Sequence, residues 1–136
     1  MKKLLLGLLA GFISLCSYSQ KFNKVLQCRY TIYDYAINDW KIVDINYPDN
    51  MFIIIRNKEI SITNKSESSY KIYGESKQRE YETHSTTNWE AYDKDGNPCV
   101  FMVKMTKSNK DTMWMYFVYD GYSFDYEIEI NEDSGF

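Results

Sequence analysis

Proline and glycine are scarce, at 2 and 6 of 136 residues. That excludes collagen-like repeats and Pro- or Gly-rich linkers. The chain has one histidine and three cysteines, with no Cys-x-x-Cys, so the donors of a zinc site are missing. A Gly-x-Ser-x-Gly elbow and a glycine-rich phosphate loop are also missing. Basic charge is not in excess: 16 Lys and Arg stand against 19 Asp and Glu, a formal net charge of −3. Wholesale binding to nucleic acid or to an acidic membrane surface is therefore not expected. After the first few residues, no apolar run approaches the roughly 20 residues a spanning helix needs, and no transmembrane segment is expected in the mature chain.

Aromatic residues are abundant, at 17%, within a hydrophobic fraction of 44%. That is too much apolar surface for a disordered chain, and the length suits a single domain.

The first residues read as an address. Met1-Lys2-Lys3 is followed by an apolar stretch over 4–15, and Ser17 and Ser19 supply the small residues of a cleavage site. This is the layout of a secretory signal peptide. Cleavage is expected after Ser19, leaving 20–136 as one all-β domain, exported to the periplasm or secreted. Cys16 after an apolar stretch resembles a lipobox, with Leu15 where that signal carries a small residue. Anchoring as a lipoprotein through Cys16 is the minor alternative.

Two cysteines remain, Cys28 and Cys99. Cys28 shares a period-two face with Leu26, Tyr30 and Ile32, and Cys99 with Phe101, Val103 and Met105. In an exported chain this parity favours a Cys28–Cys99 disulfide. The alternative is two buried, reduced thiols.

Period-two alternation runs through the chain. It predicts strands over 24–35, 40–46, 51–56, 59–64, 70–75, 79–92 (with a break near 85–88), 99–106, 112–119 and 122–130. The expected fold is all-β: one antiparallel meander of eight or nine strands, forming an up-and-down, lipocalin-like barrel or a strongly curved sheet. A two-sheet β-sandwich is the alternative. Asp120-Gly121 signals a type I′ hairpin that sets Phe117 opposite Phe124 and Met115 opposite Tyr126. A hairpin at Asn57-Lys58 sets Ile55 opposite Ile60 and Ile53 opposite Ile62.

Candidate chemistry is sparse, and no catalytic residue, metal ligand or cofactor is expected. Asp93-Lys94-Asp95-Gly96-Asn97 superficially resembles a calcium loop, but its spacing suits a turn. His84 has only Thr83, Ser85 and Thr86 near it in sequence, with no triad pattern. Asp125, Glu127 and Glu129 share one strand face and read as a solvated face.

Aromatics on presumed outer faces, Tyr33, Tyr73, Trp114 and Tyr116, could stack on sugars or anchor a partner. Val100, Met102, Trp114, Tyr116 and Val118 share a face too apolar to be simply solvated, and they form the candidate binding face. The expected function is a non-enzymatic binding or interaction module for a small apolar ligand, a glycan or a protein partner. The alternatives are a structural or interaction protein of the cell envelope, or a hydrolase with an acidic and Tyr site that leaves no motif.

Overall fold

A computed structural model describes residues 21–63 and 68–130. The expected signal peptide and Cys16 lie outside the described residues. The described chain is all-β without a helix, in one antiparallel sheet of nine strands. It therefore has no helix long and apolar enough to cross a membrane.

The strands are β1 (Lys21–Asp34), β2 (Asp39–Asn46), β3 (Phe52–Arg56), β4 (Glu59–Ile62), β5 (Ser69–Glu80), β6 (His84–Asp93), β7 (Pro98–Thr106), β8 (Thr112–Val118) and β9 (Tyr122–Glu129). From β3 to β9 each strand pairs with the next. The long β1 joins three neighbours: β3 along its first residues, β2 along its last, and β9 along its middle. The pairings therefore return to β1, and β2 stands outside that circuit. All nine strands belong to one hydrogen-bonded sheet.

The hairpin registers follow the apolar alternation. Phe117 faces Phe124, Met115 faces Tyr126 and Met113 faces Ile128, as expected around Asp120-Gly121. The turn itself differs from expectation. Only Gly121 takes a positive φ, 87°, so this is not the type I′ form, which needs two such residues. The pair with two positive φ values is Asn57-Lys58, at 51° and 62°, between Arg56 and Glu59.

The β5–β6 boundary also differs. β5 continues to Glu80, and the turn falls where the Tyr81 N–H donates to the His84 carbonyl at 2.8 Å. Gly74, at φ 76°, lies within an irregularity between Tyr73 and Lys77 and does not end the strand. The polar run 85–88 is continuous strand, with Ser85 and Thr87 buried. Ser85 Oγ and Thr87 Oγ1 are buried there without a hydrogen-bond partner.

One face of the sheet forms the core. Val25, Ile53, Ile55, Ile60, Phe101, Met115, Phe117 and Ile128 have essentially no exposed surface. Tyr70 of β5 stacks on Phe117 of β8, with ring centroids 3.9 Å apart. Strands three steps apart would be about 14 Å apart in a flat sheet, so this contact requires strong curvature. Phe117 also stacks on Phe101 and meets Tyr126 edge-on.

The expected disulfide is overturned: Cys28 and Cys99 are not bonded to each other. The parity reading was correct, since both pack with the core. Register keeps them apart. Cys28 lies level with Tyr126 and Met115, whereas Cys99 lies one strand beyond β8, at the level of Ala91. β8 and β9 intervene between them along the sheet, and the two sulfurs do not lie at disulfide distance.

Candidate functional site

The opposite face of the sheet carries an open trough of about 670 Å³. Strand register builds it in rows. One row runs Lys77, Asn88, Met102, Tyr116, Asp125 and Arg29 from β5 to β1. Its neighbour on one side runs Val100, Val118, Ser123 and Thr31. The neighbour on the other side runs Arg79, Thr86, Lys104 and Trp114. Such alignment follows from period two, because every second residue of each strand faces the same way.

Four of the five residues singled out from sequence, Val100, Met102, Tyr116 and Val118, line this trough. Trp114 flanks it, stacked beside Tyr116 with ring centroids 6.0 Å apart. The Arg29 guanidinium lies 3.9 Å above the Trp114 ring. Tyr33 meets Trp40 edge-on at 5.5 Å. Tyr73 stacks on Tyr92 at 4.6 Å, away from the trough.

Asp125 contradicts the reading of a solvated carboxylate face. It is 2% exposed, and Arg29 reaches its Oδ2 at 3.4 Å. Thr31 Oγ1 donates to the same oxygen at 2.5 Å, and Ser123 Oγ donates to Oδ1 at 2.6 Å. Sequence reasoning missed this network because it joins the first strand to the last. Burial pushes the Tyr116 hydroxyl up to about 12, although the adjacent Arg29 charge and hydrogen bond pull it down. Tyr116 is therefore a neutral phenol at physiological pH. Two buried polar atoms of lining residues, Arg29 Nε and Asn88 Oδ1, have no hydrogen-bond partner.

The electrostatics of the trough are one-sided. Arg29, Lys77, Arg79 and Lys104 line it with His84, and Asp125 is the one carboxylate among its lining residues. Asp125 is already matched by Arg29. Among the described residues, no carboxylate pairs with Lys77, Arg79 or Lys104. The walls are aromatic: Trp40 from β2 on one side, Tyr81 on the other, with Tyr81 stacked on His84 at 4.6 Å. Thr83 Oγ1 lies 3.1 Å from His84 Nδ1, with no carboxylate to complete a triad.

The acidic loop is a turn. Asp93 Oδ1 accepts the N–H groups of Asp95 and Asn97, and Tyr119 donates to Oδ2 at 2.9 Å. The carboxylate is thus filled by its own loop and by Tyr119. No cluster of metal-ligating side chains occurs among the described residues.

The chain matches no family model, no curated protein and no solved structure.

Proposed function

We propose that this chain is an exported binding module whose trough holds a single-chain amphiphile with an anionic head. The trough's unpaired cations over an apolar floor carry this reading. Val100, Met102 and Val118 supply apolar surface, and Trp40, Tyr81 and Tyr116 supply aromatic walls. Arg79 and Lys104 share one flanking row, and Lys77 lies at the β5 end of the central row. Small-ligand sites usually span about 300–1,000 Å³ with mostly apolar walls and a few placed polar groups, and this trough falls in that range. Concave walls suit a dissolved molecule better than a flat bilayer.

The fold supports a site on the outer face. β1 bonds to both β3 and β9, which favours a closed, barrel-like sheet with β2 as a flap. Phe101, Phe117 and Tyr126 are buried on the inner face, which favours the outer face for a ligand. Export rests on the signal-like segment 1–19 alone, since no disulfide adds to it.

Tryptophan fluorescence titrations with dodecanoate, dodecanol and dodecyltrimethylammonium test the reading. Dodecanoate is expected to bind saturably and most tightly, and Lys104→Glu or Arg79→Glu to weaken it about tenfold, or ~1.4 kcal/mol. Equal binding of dodecanol would overturn the anionic head. No saturable binding of any of the three would overturn the ligand site.

A further inference from the structure

The outer edge of β2 is exposed. All eight residues from Asp39 to Asn46 are solvent-accessible, and among the described residues only β1 pairs with them. Among the described residues, seven of the ten large exposed hydrophobic side chains fall between Tyr35 and Tyr47. Trp40, Ile42, Val43 and Ile45 on the strand itself are each more than 40% exposed. An edge of this kind templates another strand unless something blunts it. β2 carries no proline and a single lysine, Lys41.

We propose that β2 pairs antiparallel with β2 of a second copy, about a two-fold axis between Ile42 and Val43. The strand is self-complementary in that register. Lys41 falls opposite Asp44 of the copy, Trp40 opposite Ile45, and Asp39 opposite Asn46. Each pair occurs twice, as a two-fold interface requires.

A bulge makes this match possible. Residues three or five apart on a regular strand point to opposite faces. In β2, Ile42 pairs with Thr31 and Asp44 with Tyr30, which leaves Val43 as the extra residue. The extra residue returns Asp44 to the face of Lys41, since their β1 partners are Tyr30 and Ile32. It likewise returns Ile45 to the face of Trp40, since theirs are Arg29 and Tyr33. Charge thus meets opposite charge on one face, and apolar surface meets apolar surface on the other. Asp39 Oδ1 holds the Trp40 N–H at 2.8 Å on the exposed edge, a contact that a carbonyl of the second copy replaces.

Sedimentation velocity over a concentration series tests the pairing. The chain is expected to form dimers that dissociate on dilution. Lys41→Asp and Asp44→Lys each set like charges face to face twice, and each is expected to weaken dimerisation at least about tenfold. The double variant restores the pairing. So does an equimolar mixture of the two single variants, because each then meets its opposite. Both positions are exposed, so far-UV circular dichroism should match the parent chain. A monomer at every concentration would overturn the proposal. So would a dimer indifferent to either reversal, or one that neither the double variant nor the mixture restores.

Discussion

Arg29 and Asp125 sit in register across β1 and β9, and their charged groups meet at 3.4 Å. The carboxylate is almost wholly buried, while the arginine side chain keeps 22% of its surface. Removing one partner of a buried pair leaves the other uncompensated, at a typical cost of 3–5 kcal/mol. The residual exposure of Arg29 places Asp125→Ala near the lower end, about 3 kcal/mol. Asp125→Asn keeps an acceptor for Thr31 or Ser123 and should cost less. Urea denaturation of both variants checks the order.

The thiols give a second expectation. Cys28 is half-buried beside a hollow of about 430 Å³, whereas Cys99 is buried. Burial pushes the Cys99 thiol up to about 11, with Tyr119 pulling it partly back. A thiol reagent at neutral pH should label Cys28 in the folded protein and spare Cys99, because the thiolate is the reactive form. In denaturant without reductant, both should label, and intact mass counts the added groups.

Acid should loosen the 93–97 turn. Burial acts to raise the Asp93 value, but hydrogen bonds from Asn97, Tyr119 and Asp95 outweigh it and hold it below the usual carboxylate range. A depressed carboxylate stabilises the fold above its unfolded value, and that contribution disappears as pH falls through the folded value. The urea midpoint should therefore drop below about pH 4. Asp93→Asn should be less stable at neutral pH and should flatten that part of the profile.

Lys58 occupies the left-handed region, at φ 62°, after Asn57 at 51°. That conformation costs a side-chain-bearing residue roughly 1–2 kcal/mol relative to glycine. Glycine gives back part of this through its freer unfolded chain, roughly 0.4–1 kcal/mol. Lys58→Gly should therefore stabilise by about 0.5–1 kcal/mol. Thermal unfolding reads the change, with Gly121→Ala, at φ 87°, as the opposing control.

Strand parity was legible wherever apolar residues alternate, as in 99–105 and 113–117, where every expected inward residue is buried. It failed over 75–88, where polar residues occupy both faces of β5 and β6 and no Asn-Gly or Asp-Gly marks the turn. The candidate face was legible for a similar reason. Val100, Met102, Tyr116 and Val118 alternate with core residues and are themselves apolar or aromatic. Lys77 and Arg79 were invisible as part of it, because exposed cations carry no pattern that places them against Lys104.

Alternation and turn chemistry are local, so the sequence by itself determined an all-β chain, most strand positions, and hairpin registers such as Phe117 with Phe124 and Ile55 with Ile60. Only the tertiary structure decided what lies beside what across distant strands. β1 bonds to β9, and that pairing buries Asp125 under Arg29 and sets Thr31 against Ser123. The same arrangement leaves Cys28 and Cys99 on different strands and rows, so matching parity does not bring their sulfurs together. Side-chain parity is set by each strand alone, whereas distance between strands is set by the order in which the whole sheet assembles.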